Sequence, residues 1–113
     1  MRLPRIRFTV RRMMIAVAVA ALLLGGDVLW RKRAGYLARA NVEAASEMQS
    51  RALIKVYESA IVTSAAPSVA DGYRQWVEVH REEADYHGML RRKYERAARY
   101  PWLPVKPDPS EPQ

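Results

Sequence analysis

Eighteen residues from Met13 to Trp30, MMIAVAVAALLLGGDVLW, carry a single charge, Asp27. At about 1.5 Å per residue a helix of that length spans roughly 27 Å, close to the ~30 Å hydrocarbon core of a bilayer. Five arginines and no acid precede it: Arg2, Arg5, Arg7, Arg11 and Arg12. Arg11 and Arg12 can snorkel at one end, Trp30 suits an interface, and Asp27 lies within one turn of the other end. The reading is a membrane-spanning helix over 13–30 behind a basic arm over 1–12, flanked by Arg11, Arg12, Trp30, Arg31, Lys32 and Arg33.

A cleaved secretory signal has the same general layout, a basic arm followed by Ala, Val and Leu. Ala18-Val19-Ala20, the small-x-small pattern a peptidase needs, comes too early in the run, and the later part ends in Asp-Val-Leu-Trp. An uncleaved anchor is therefore expected. Basic residues close to the span set orientation, and five before it stand against four after it, Arg31, Lys32, Arg33 and Arg39. The margin favours an inside N-terminus in the inner (cytoplasmic) membrane, with the C-terminal part extracytoplasmic. The absence of cysteine fits a domain without disulfides in any compartment.

Beyond Trp30 remain 83 residues, enough for one small helical unit. The formal net charge of +7 sits largely in the arm; from residue 31 onward fourteen Lys and Arg face eleven Asp and Glu. Leu37 to Thr63 has no proline or glycine, and Ala45, Met48, Ala52, Leu53, Val56, Tyr57, Ala60 and Ile61 form one face. Glu43, Glu47, Arg51 and Glu58 fall largely off that face. The stretch 64–72, with Pro67 and Gly72, predicts a turn. A second helix is expected over 73–99, capped by Asp71, with an inward stripe of Tyr73, Trp76, Val77, His80, Ala84, His87, Leu90, Tyr94, Ala97 and Ala98.

Two helices of similar length joined by a short turn lie antiparallel. The fold class is all-α: one N-terminal transmembrane helix, a helical hairpin over 31–99 with coiled-coil character, and an extended tail over 100–113. Five of the seven prolines fall in that tail, which favours polyproline II. The first soluble helix is expected to continue from the membrane helix with at most a kink near Gly25-Gly26 or Gly35.

Phe8 to Ala18, FTVRRMMIAVA, resembles an N-terminal segment recurring in small membrane-anchored proteins predicted from planctomycete genomes. Tyr86 to Val105, YHGMLRRKYERAARYPWLPV, with its Pro-Asp-Pro tail, is similar to the C-terminal signature of that group. The resemblance implies membrane anchoring and helical architecture and supplies no catalytic residues. Gly88 stands where a helix former is expected, weakening the helix locally by up to about 1 kcal/mol.

Three clusters are candidates for function. His80, Glu83 and His87 share a face and are of ligand type, but histidines seven apart lie roughly 10 Å from each other, so a metal would need Glu43, Glu47 or Glu58 as well. Packing at the hairpin seam is the simpler role, and no metal or cofactor is expected. Arg91, Arg92, Lys93, Arg96 and Arg99, interleaved with Tyr94 and Tyr100, could hold phosphate or nucleic acid. A solvated or headgroup-facing surface is favoured, because Arg92, Arg96 and Arg99 share one face and suit the end of a helix. Pro101, Trp102, Leu103, Pro104 and Val105 form a proline-spaced apolar segment that either docks on a partner or folds back, covering Trp102, with 106–113 left mobile.

No nucleophile elbow, phosphate-binding glycine loop, close-set cysteine pair or zincin helix is present. The expectation is a non-enzymatic single-pass membrane protein whose hairpin and tail mediate protein contacts or self-association. A phosphate- or nucleic-acid-binding module is the alternative, and a metal-dependent enzyme a distant third; no small-molecule substrate is indicated.

Overall fold

The computed structural model describes residues 9–113; Arg2, Arg5 and Arg7 of the arm lie outside the described residues. Helix α1 runs from Val10 to Thr63, 54 residues without interruption, and α2 runs from Pro67 to Arg99. All secondary structure among the described residues is helical, and the molecule measures 98 × 26 × 17 Å. Gly25, Gly26 and Gly35 leave the helix unbroken. Their backbones are helical and nothing lies within 4 Å of the position a Cβ would take.

Every residue from Thr9 to Gly35 is exposed, whereas burial begins at Tyr36, where α2 comes alongside. The first half of α1 is thus long and apolar enough to cross a membrane. The second half is one arm of the expected antiparallel hairpin.

The connection between the helices is only Ser64-Ala65-Ala66, tighter than expected, because α2 starts six residues before position 73. Pro67 sits in the first turn, where a missing N–H costs nothing and a fixed φ helps. Gly72 is a weak breaker that helical neighbours override. Asp71 consequently lies inside α2 and does not cap it; its carboxylate accepts from Arg74 one turn on, and Ala66 holds the cap position.

The seam of α1 follows positions 36, 40, 43, 47, 50, 54, 57 and 61, alternating steps of four and three residues, and every one of them is buried or half-buried. On α2 the matching set is 70, 73, 77, 80, 84, 87, 91, 94 and 98. The 3.5-residue repeat keeps both stripes facing each other over many turns. Small side chains at Ala40, Ser50, Ala84, Gly88 and Ala98 let the backbones approach closely.

The inner face of α1 differs from the expected one in its first half. Ala45, Met48, Ala52 and Val56 point outward, Met48 being 72% exposed. Glu43 and Glu47 point inward instead, Glu47 being only 4% exposed. The two carboxylates can be buried because α2 brings hydrogen-bonding partners to the same levels, His87 opposite Glu43 and the Arg91 guanidinium opposite Glu47. On α2 the expected stripe holds for Val77, Ala84, Leu90, Tyr94, Ala97 and Ala98, whereas Trp76 sits exposed at the edge of the seam.

Candidate functional site

The end of the hairpin at the 64–66 connection is an aromatic tier. Tyr57 of α1 stacks on His80 at 5.7 Å between ring centroids and lies 5.9 Å from Tyr73 and 6.4 Å from Trp76. His80 Nδ1 is 2.8 Å from Glu83 one turn along, so the imidazole is held by stacking on one side and a carboxylate on the other.

Farther along the seam the contacts become polar. His87 Nδ1 meets Glu43 at 2.7 Å across the helices. Glu47 is flanked by Arg51 at 2.6 Å and Arg91 at 3.0 Å. The pairing is imperfect: Glu47 Oε2 and Arg91 Nε are buried without an aligned hydrogen bond, and the carboxylate of Glu95 is still 3.6 Å from that Nε. Such a pair adds little stability over apolar packing, yet it punishes any sliding that separates the charges. Glu43 and Glu47 therefore act as register pins along the seam.

Gly88 sits beside the second pin. A Cβ there would come within 3.3 Å of Cδ and Oε1 of Glu47. The residue that weakens α2 by propensity makes room for the carboxylate. Gly88→Ala is accordingly expected to bring little or negative change in the native protein, because the helix gain of about 1 kcal/mol is spent displacing Glu47. In a Glu47→Ala background the same change should stabilise by about that amount, and thermal melts of the four proteins test it. Equal effects in both backgrounds would remove the steric coupling.

The opposite end, beside the apolar half of α1, is organised by the tail. Asp108 is a hub: Tyr94 Oη donates to it at 2.6 Å, Arg39 Nη2 at 2.9 Å, and Lys93 Nζ also donates. Tyr86 Oη donates to the carbonyl of Pro109 at 3.1 Å. The Arg39 guanidinium lies 4.8 Å from the Tyr94 ring centroid, and Tyr36 stacks on the opposite helix against Tyr94 at 6.3 Å. The ammonium of Lys93 and the hydroxyl of Tyr94 hold the Asp108 carboxyl below its ordinary range. Burial, reinforced by the hydrogen bond to Asp108, pushes the Tyr94 hydroxyl up to about 12.

The tail thus folds back, but by a different residue than expected. Pro101 is buried and Val105 half-buried, while Trp102 is 64% exposed and Leu103 and Pro104 also face outward. The anchor is Asp108, inside the segment expected to be mobile. Three donors outweigh one indole, because a carboxylate brought to a cationic cleft gains charge-assisted bonds that an apolar ring cannot supply. The clue was present in the sequence: two acids, Asp108 and Glu111, lie among the tail's prolines and follow the five cations of 91–99.

The histidines do not converge. His80 and His87 take separate carboxylates, Glu47 is committed to arginines, and Glu58 lies 3.9 Å from Arg81. Among the described residues no three His, Asp or Glu side chains are placed to hold a metal ion. The basic cluster is split as well: Arg91 turns in to Glu47 and Lys93 to Asp108, whereas Arg92, Arg96 and Arg99 remain exposed. Of the flanking residues, Arg31 pairs with Asp27 at 3.0 Å and Arg33 lies 6.0 Å from the Trp30 ring. Arg11, Arg12 and Lys32 are exposed. In comparisons with protein-family models, curated proteins and solved structures, the chain matches none.

Proposed function

We propose that the protein is a single-pass membrane protein whose hairpin, a short antiparallel coiled coil, serves as a non-enzymatic protein-interaction or structural module close to the bilayer. The observation that carries this reading is the continuity of α1. One helix is apolar and uncovered over its first half and zipped to α2 over its second. With Met13–Trp30 in the bilayer, residues 31–63 would hold the hairpin tip about 50 Å from the membrane on a stiff stalk. The uncovered apolar positions of that stalk, Met48 and Val56, offer contact area to a second copy or another protein. An inside N-terminus would leave the hairpin on the extracytoplasmic side of the inner membrane.

Alkaline extraction of membranes from cells making the full chain is expected to leave it in the pellet at full mass. Recovery in the supernatant, or a mature N-terminus beyond residue 20, overturns the anchor. A photo-crosslinker at Met48 is expected to yield protein adducts in the intact membrane. Labelling of lipid alone would overturn the interaction role while leaving the anchor standing.

A further inference from the structure

We infer that the turn after α2, Tyr100 to Leu103, is a second membrane contact that seats in the anionic headgroup layer beside the anchor. This inference rests on the reading of α1 as a membrane anchor.

The position of the turn follows from the hairpin's register. Tyr94 lies level with Tyr36, and Arg33 and Leu37 line one shallow recess with Glu95, Ala98 and Arg99. Five residues from Tyr94 to Arg99 advance about 7.5 Å, bringing the end of α2 level with Arg31. The Leu103 N–H then donates to the Tyr100 carbonyl at 3.0 Å, and the chain reverses so that Asp108 returns to Arg39 and Tyr94. Tyr100–Leu103 is therefore the part of the hairpin nearest the apolar span, at the height of Trp30.

The turn presents what an interface takes. Tyr100, Trp102 and Leu103 are all exposed, with Trp102 edge-on to Tyr100 at 5.7 Å. In water this is a costly display for a chain whose tail is otherwise latched down, whereas aromatic side chains are stabilised at headgroup level. Arg96 and Lys106 line a cleft with Tyr100 and Leu103, Arg33 and Arg99 share the neighbouring recess, Lys32 adjoins Arg33 on α1 and Arg92 stands about two turns farther along α2; none of these six forms an ion pair among the described residues. Beside the turn, a cleft of about 430 Å³ combines the cations of Arg96 and Lys106 with apolar walls from Ala97, Leu103, Pro104 and Val105. Cations with adjacent apolar surface match the junction of phosphate and acyl chain in an anionic phospholipid. The Asp108 latch holds the turn in this place, and the exposure of Trp102 that back-folding left unexplained becomes its membrane-facing side.

The test uses the full chain with Trp30→Phe and Trp76→Phe, so that Trp102 is the sole tryptophan, reconstituted in phosphatidylcholine vesicles with and without phosphatidylglycerol. Flotation reports the anchor. Trp102 emission is expected to shift to the blue in the phosphatidylglycerol vesicles, to be lost to lipids brominated near the headgroup, and to resist aqueous acrylamide. Arg92→Gln, Arg96→Gln and Arg99→Gln together should return it toward aqueous behaviour without loss of flotation. A floating chain whose Trp102 stays open to acrylamide overturns the docking alone, and equal protection in the two compositions overturns the assignment to anionic headgroups. A chain that does not float overturns the anchor, and the docking with it.

Discussion

Arg91→Ala is expected to destabilise the hairpin by about 3 kcal/mol, the lower end of what breaking a buried ion pair costs. The loss leaves the Glu47 carboxylate, 5% exposed at its side chain, facing only Arg51, itself 63% exposed and well hydrated. Arg91 is 36% exposed, which keeps the effect from being larger. Chemical denaturation of the full chain in detergent, followed by circular dichroism, gives the number. Arg92→Ala, one residue along on the outer face, is the control and should fall within about 0.5 kcal/mol of the native protein. Replacing Glu47 and Arg91 together by Leu should recover most of the loss, because two apolar groups leave no charge uncompensated. That double variant is also expected to be less specific in register, which disulfide crosslinking between the helices can report. If Arg91→Ala and Arg92→Ala melt alike, the ionic seam has no energetic part in the fold.

Asp108→Ala should cost about 2 kcal/mol and release the tail. Charge-assisted hydrogen bonds contribute roughly 1.5–3 kcal/mol each when sheltered, but partial exposure of Arg39 and Asp108 discounts the sum. Hydrogen exchange over residues 101–109 is the direct readout, with protection lost in the variant and the rest of α2 little changed. Unchanged protection of that segment would mean that Pro101 and Val105 hold it without the hub. The same hub makes docking depend on pH at both extremes. The folded carboxyl of Asp108 titrates below its ordinary value of 3.8, so its contribution is complete above 3.8 and disappears as the pH falls through the lower folded value. Tyr94 shifts the other way: its contribution is complete below 10.0 and is lost as the pH rises toward about 12, when the phenolate forms against Asp108. Between those limits the latch should be insensitive to pH.

The sequence by itself determined the all-helical class, the apolar span from Met13 to Trp30, the antiparallel pairing and most of the inner face of α2. Each of these follows from composition and period summed over many residues, so that no single contact decides it. The inner face of α1 was another matter. Met48 and Val56 are apolar and Glu47 is charged, and periodicity alone turns the first two inward; only the arrival of Arg91 and His87 from α2 makes it favourable to bury Glu47 and Glu43 and leave Met48 outside. The tail shows the same division. Its prolines predicted an extended chain, but which residue anchors it depended on a carboxylate meeting Arg39, Lys93 and Tyr94, brought together from both helices. Pairwise electrostatics between residues far apart in sequence carries no periodic signal along the chain, and so those placements were decided in the tertiary structure.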